Sequence, residues 1–244
     1  MLNYFRKISQ SINKKESLFE IEQKKVLSIL DATFLDDKST TSYWLNKTKF
    51  SKYLSPKRIA FTQCLIDIVT KHISLDSKSP LKVCDVSFGS GYLLYYLFSR
   101  FPSLHLSGTE LNPDSFTILK KLIPSVKDTY LQNIYELDLP KQDVIFCTEV
   151  LEHLAKPELA LNKLLYSIKE SGTLIITVPN GREDVSIAGT SSPDKSFWNG
   201  HINFWSPESW EIFINRECEN HITFFFTIPD IGYSKIGVII QPNS

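Results

Sequence analysis

The chain has 244 residues, 42% of them hydrophobic, enough for the core of one α/β domain with an additional helical segment and too many for disorder throughout. Its 27 basic and 27 acidic residues cancel, and with a pI near 7 it carries no global field to draw nucleic acid or an anionic membrane. Cys64, Cys84, Cys147 and Cys218 form no C-x-x-C pair, no apolar run reaches the roughly 18 residues that span a bilayer, and the N-terminus turns polar after Phe5; these features point to a cytosolic protein with reduced thiols.

Leu18, Ile21, Val26, Ile29 and Leu30 recur at helical spacing between Asn13 and Leu35 and predict an amphipathic helix that covers the domain or a partner. Asp36 to Thr41 is a polar break. A second helix is expected from Pro56 to about His72, with Ile59, Leu65, Ile66 and Val69 as its buried stripe. Beyond a loop at 75–80, strand-like runs near 81–86, 104–110, 128–131, 142–148 and 172–178 alternate with helical patterns near 91–100, 113–123 and 157–170. Ser206 is placed to cap a helix from Pro207 to about Arg216, and two β-rich runs, 221–228 and 235–241, close the chain around a Pro-Asp-Ile-Gly turn. The alternation predicts an α/β fold built on a mainly parallel sheet, with residues 1–55 as a helical cap and 56–244 as the main domain. The segment 179–205 is too long for a simple connection, and Phe197, Trp198, His201, Phe204 and Trp205 make it too aromatic for a solvated linker. It lies at the edge of the sheet where open α/β folds bind ligands, so it is expected to wall or cover a substrate pocket.

The most informative stretch is 81–110. A strand carrying Asp85 runs into Gly89 and Gly91, a helix follows, and a second strand ends on Glu110. Glycines at such a turn let backbone approach a ligand, and an acid about 20 residues on is placed to hold ribose hydroxyls. The third glycine of the dinucleotide fingerprint is missing, since Leu94 stands there, and the Asp85 carboxylate would repel a pyrophosphate but not a cationic ligand. Here the sequence resembles class I S-adenosylmethionine-dependent methyltransferases, whose first motif reads roughly D-x-G-x-G-x-G. Asp85, Gly89 and Gly91 match it, and Ser87 replaces its first glycine. In QDVIFCTEVLEHL, residues 142–154, the resemblance sharpens toward the subgroup that includes the ubiquinone-pathway O-methyltransferases. It covers about residues 56 to 240. It implies a Rossmann-like, mainly parallel seven-stranded sheet with helices on both faces and an antiparallel last strand. It also implies that Glu110 holds the ribose, Leu111 packs on adenine, Asn133 meets the adenine amino group, and Arg58 reaches the methionine carboxylate. Ile134 and Thr148 join them as cofactor-lining candidates.

A second constellation follows the fourth predicted strand. Glu149, Glu152 and His153, at i, i+3 and i+4, would share one face of a helical turn, and His201 in the aromatic segment offers a fourth donor. Two carboxylates and an imidazole suit a hard divalent cation, Mg²⁺ or Mn²⁺, better than structural zinc. The pattern resembles the metal site of RNA 3′-terminal 2′-O-methyltransferases, and its E-x-x-E-H part resembles that of the ubiquinone-pathway enzymes. Without a metal, His153 or His201 is a candidate general base, imidazole titrating near pH ~6.5. His72, His105 and His221 have no such companions, and Asp143 reads as structural. These features predict an O-methyltransferase acting on a small molecule, a sugar or an aromatic diol. The alternatives are an RNA 2′-O-methyltransferase, against which the neutral charge stands, and a non-catalytic subunit that retains the cofactor fold.

Overall fold

The computed structural model describes residues 18–36, 40, 42–77, 79–183, 200–229 and 234–243. The sequence expectations for the first part of the N-terminal helix, for Phe197 and Trp198, and for the Asp-Ile-Gly part of the closing turn lie outside these residues. Helix α1 covers 18–30, α2 Lys47–Tyr53 and α3 Pro56–Val69. There follow β1 Lys82–Val86, α4 Tyr92–Arg100, β2 His105–Glu110, α5 Pro113–Leu122, β3 Asp128–Leu131 and β4 Gln142–Thr148. The chain closes with α6 Pro157–Ser167, β5 Ile168–Pro179, α7 Pro207–Glu217, β6 His221–Ile228 and β7 Lys235–Pro242.

The helix starts follow local chemistry visible in the sequence. Ser55 accepts a hydrogen bond from the Arg58 amide ahead of Pro56, Asn112 from Asp114 ahead of Pro113, and Ser206 from Ser209 ahead of Pro207. Each pairs a capping oxygen with a proline whose missing N–H costs the first turn nothing. Helix α2, which the periodicity did not reveal, starts the same way, with Asn46 accepting from the Lys49 amide. The seven strands form one sheet in the order β3-β2-β1-β4-β5-β7-β6, parallel except for β7, which runs antiparallel to both neighbours. This is the Rossmann-like arrangement expected.

Period-two alternation sends side chains to two cores. Ile145, Cys147, Leu174 and Ile176 face α6 and α7, where Leu161, Leu164, Trp210 and Ile214 are buried. Val144, Phe146, Ile175 and Ile239 face α3 and α4, against Leu65, Ile66, Val69 and Leu97. In a third cluster, Val26, Leu30, Phe50 and Leu54 of α1 and the α2 region pack on Tyr92, Leu94, Ile118 and Leu119 of α4 and α5. The Gln23 amide ties α1 to the end of α2 through the Ser51 and Leu54 carbonyls, both at 2.8 Å.

One boundary moves. Helix α6 stops at Ser167 rather than near 170, and β5 begins at Ile168, because buried Ile168 already pairs with Gln142. The register then shifts before Val144 meets Thr173. Gly172 sits at this irregularity, where a Cβ would lie 3.0 Å from the Gln142 carbonyl oxygen.

Candidate active site

The C-terminal ends of β1 and β2 build a tight turn. Ser87, Gly89 and Gly91 all have positive φ, of 62°, 53° and 71°. Ser87 takes the left-handed conformation that glycine adopts freely, at a cost of roughly 1–2 kcal/mol, so the turn survives its substitution. The Ser87 amide donates to Thr109 Oγ1 at 3.3 Å and the Phe88 amide to the Thr109 carbonyl at 3.1 Å. Gly91 has a second constraint: a Cβ there would come within 2.8 Å of Leu119 Cδ1 on α5. The Glu110 carboxylate accepts from the amides of Gly89, Leu111 and Asn112 at 3.0, 3.0 and 3.1 Å, locking the end of β2 to the turn. Asp85 is buried beneath it. Its Oδ1 has no hydrogen-bond partner, and burial, then Glu110, pushes its carboxyl well above the usual range.

Around this turn stand the other cofactor candidates. Thr148 and Arg58 line a small cavity of about 30 Å³ together with Asp85, Ser87 and Ser90. Asn133 caps the 3₁₀ turn Ile134–Glu136, its Oδ1 accepting from the Tyr135 amide at 3.0 Å, so that carbonyl already has a backbone donor. Ile134 is buried, whereas Leu111 is 62% exposed and presents an apolar surface to whatever lies beside β2. Sequence reasoning missed Trp44 and Tyr53. The Tyr53 ring lies 4.4 Å from the Arg58 guanidinium, and its hydroxyl stands 3.1 Å from where a Gly89 Cβ would be.

The acidic and histidine cluster differs from its predicted form. Glu149 is not on a helical turn. Its amide donates to the Thr177 carbonyl at 2.9 Å, prolonging the pairing of β4 with β5, and its φ is +58°. Its carboxylate is held by Lys235 Nζ at 2.8 Å and by the Thr177 hydroxyl at 3.2 Å, the ion pair being about nine-tenths buried on both sides. A 3₁₀ turn, Leu151–His153, then carries Glu152 and His153. Ile202 and Asn203 donate their amides to the Glu152 carbonyl at 2.8 and 3.1 Å. The Asn203 side chain donates to the Leu151 and Leu154 carbonyls at 3.2 and 2.7 Å. These bonds clamp the end of the long connection onto the turn and bring buried His201 beside Glu152. His153 and His201 Nε2 lie 3.8 and 4.0 Å from Glu152 Oε1, and one ligand atom from each of the three residues falls within 4.8 Å of the others. Both Glu152 carboxylate oxygens are buried without a hydrogen-bond partner. Burial, then Glu149, pushes this acid well above its ordinary range, with Lys235 and Arg58 opposing.

The base of the connection is pinned as well. Gly181 donates its amide to the Trp205 carbonyl at 2.7 Å, and Glu183 accepts from the Ser234 amide and the Asn180 side chain at 2.6 and 3.1 Å. Trp205, Trp210 and Phe213 pack together beneath it, ring centroids 5.3 to 5.8 Å apart. A wider groove of about 760 Å³, lined by Tyr135, Lys156, Leu159, Lys163 and Tyr166, opens on α6. It offers no acid–base pair and does not reach the glycine turn.

The profile of the family described as "Methyltransferase domain" matches residues 58–214, from Arg58 through the turn and the acidic cluster into α7. The chain belongs to this methyltransferase family. Among curated proteins the methyltransferase is similar to the ubiquinone biosynthesis O-methyltransferase of Rickettsia canadensis, 30% identical over 139 residues, a match spanning 56% of either chain. It is also similar to the protein of the same name from Rickettsia felis, 24% identical over 212 residues, covering 84% of this chain and 82% of that one. Among solved structures it resembles the plantazolicin methyltransferase BpumL, in complex with a pentazolic desmethylPZN analog and SAH. The TM-score is 0.62 at 15% identity, over 94% of this chain and 99% of that one. It likewise resembles the methyltransferase domain of bacterial CtHen1-CN, with a TM-score of 0.56 at 19% identity over 74% and 98%. These structures share the fold, and that of BpumL holds SAH, the demethylated form of the donor S-adenosylmethionine. The residues present fit that donor. The unpartnered Asp85 oxygen suits a cationic group, and the turn between β1 and α4 leaves backbone accessible where a side chain would intrude.

Lys235 and Asn203 escaped the sequence reading for a physical reason. Each acts across 49 residues or more, and neither lies in a motif with recognisable spacing. The signal for Asn203 was its place two residues after His201, and for Lys235 a cation opening an otherwise apolar strand.

Proposed function

We propose that the methyltransferase transfers its methyl group to a hydroxyl of a small molecule, an aromatic diol or a sugar, with a divalent cation held by Glu152, His153 and His201. One observation carries this reading: the Glu152 carboxylate is buried with both oxygens unpartnered, between two imidazoles, at the end of β4. A buried carboxylate left so is costly, and a cation between it and the histidines would satisfy it. Glu149 is drawn off by Lys235, which leaves one carboxylate and two imidazoles. That donor set shifts the preference from Mg²⁺ toward Mn²⁺, and narrows the margin against zinc.

The names of the curated relatives support an oxygen acceptor, and the net charge of zero supports a small molecule over a nucleic acid. Among the described residues no helix is long and apolar enough to cross a membrane, and the four cysteines are free thiols, which supports a reducing cytoplasm. Methyl transfer is an in-line displacement at a sulfonium-bound carbon, so the chain's main task is alignment. Arg58 would hold the donor's carboxylate, Asp85 would face its cationic portion, and Glu110 its ribose hydroxyls. Ile134 and Leu111 would flank the adenine, with Asn133 at its edge and Thr148 between the two sites. A bound divalent cation would supply acidity to the acceptor hydroxyl. Without the cation, His201, positioned by the clamp on the 3₁₀ turn, or His153 would take the acceptor proton instead, and the connection 179–205 would enclose the acceptor.

The test is methyl transfer to catechols and sugars before and after exhaustive chelation. Loss of turnover with intact S-adenosylhomocysteine binding, restored by Mn²⁺, is the expected result. Undiminished turnover without metal would remove the cation, and loss in His201→Ala under those conditions would assign the proton to a histidine base. Turnover on RNA alone would replace the acceptor class, and donor binding with no turnover on any acceptor would leave a binding subunit.

A further inference from the structure

The cavity beside the glycine turn is lined by both Arg58 and Asp85. A guanidinium and a carboxylate on one small space complement a zwitterion, the α-amino acid end of the donor. Arginine has a long, rotamer-rich side chain, so aiming it at that end needs a support. The support comes from α2. Tyr53, its last residue, lays its ring 4.4 Å from the guanidinium of Arg58, which sits in the first turn of α3. Only Leu54 and Ser55 separate the two helices, and the Gln23 amide fixes that junction from α1. The ring is braced in turn by Trp44, edge-on at 4.9 Å and 87°, and by Tyr43 at 6.2 Å. The Tyr53 hydroxyl and the Trp44 ring edge stand 3.1 and 3.4 Å from the position of a Cβ on Gly89, so the pair closes over the turn itself.

We propose that Tyr53 is a positioning residue for the methyl donor: its ring, braced by Trp44, holds the Arg58 guanidinium over the glycine turn and aims it at the donor's amino-acid carboxylate. The proposal rests on the reading of the turn as the donor's seat. It gives the N-terminal segment a part in donor binding that the family match, which begins at residue 58, does not include.

Binding of two ligands separates these claims. S-adenosylhomocysteine carries the amino-acid end, and 5′-methylthioadenosine has the same nucleoside without it. Calorimetric titration of both is made on the parent, Tyr53→Phe, Tyr53→Leu and Glu110→Ala. Tyr53→Phe keeps the ring and should bind both ligands as the parent does. Tyr53→Leu should bind S-adenosylhomocysteine about 3- to 30-fold more weakly, the range of a partly desolvated cation–π contact, and 5′-methylthioadenosine unchanged. Glu110→Ala, which removes a contact to the shared ribose, should weaken both. Should Leu prevent folding, Tyr53→Gln keeps the length without a ring and carries the same expectation. Parent-like S-adenosylhomocysteine binding by the ringless variant, or equal weakening of both ligands, overturns the role of Tyr53 while leaving the seat intact. No effect of Glu110→Ala on either ligand overturns the seat, and the placement of Tyr53 with it.

Discussion

Replacing Lys235 by methionine probes the electrostatics beside the acidic cluster. The substitution keeps length and apolar stem but removes the ammonium, leaving the Glu149 carboxylate, also about nine-tenths buried, with the Thr177 hydroxyl alone among the described residues. Breaking a buried pair by deleting one partner costs roughly 3–5 kcal/mol, because the survivor's charge stays out of water. For a chain of this size that corresponds to a fall in Tm of roughly 6–20 °C. Thermal and urea unfolding of Lys235→Met, Glu149→Gln and the double variant measure it. The double variant should recover most of the loss, since a neutral amide beside an apolar side chain leaves no buried charge. A loss under about 1 kcal/mol in Lys235→Met, or a double variant no better than the single, would refute the argument and show that water reaches Glu149.

Ser87→Gly should stabilise the protein by about 1 kcal/mol in urea unfolding, because glycine relieves the positive φ at that position. Glu110→Ala should weaken S-adenosylhomocysteine by roughly 1.5–3 kcal/mol, the value of hydrogen bonds to a charged group, read by calorimetry. Asn203→Ala deletes two donors to the Leu151 and Leu154 carbonyls and should cost about 1–3 kcal/mol in stability, with a higher Mn²⁺ concentration needed for half-maximal turnover. Burial alone would raise the Asp143 carboxyl, but the Lys169 ammonium and the Lys82 amide outweigh it and hold it below the ordinary value. A depressed folded-state pKa stabilises above the unfolded value of about 4 and loses that contribution as pH falls through the folded one. Acid titration of stability should therefore show a smaller loss below about pH 4 in Asp143→Asn than in the parent.

Most of the sheet was legible because β1, β4, β5, β6 and β7 carry Val, Ile and Phe in short runs, with capping serines and asparagines and prolines marking helix starts between them. Those signals are local, and they place β4 to the residue. The glycine turn was legible for the same reason, even with Ser87 in a glycine's conformation. Helix α2 was not, since a single Asn46 cap ahead of a seven-residue helix rich in lysine leaves no apolar period to count. Spacing alone put Glu149, Glu152 and His153 on one helical face. What decides their arrangement is strand pairing through Thr177 and the pull of Lys235, contacts made across 28 and 86 residues of chain that no local pattern encodes. The convergence of Glu152, His153 and His201 needed Asn203 for the same reason.

The connection after β5 is fastened at both ends, by Gly181 to Trp205 and Glu183 to Ser234 on one side and by Ile202 and Asn203 to Glu152 on the other. Closing a loop between fixed ends costs free energy that grows only with the logarithm of its length, about 0.6 kcal/mol for each doubling. Chain inserted or deleted between these fastenings leaves the pairing of β5, the aromatic packing of α7 and the donor side untouched. Length and sequence between these fastenings can therefore diverge between related chains at little thermodynamic penalty, while His201 keeps its place beside Glu152.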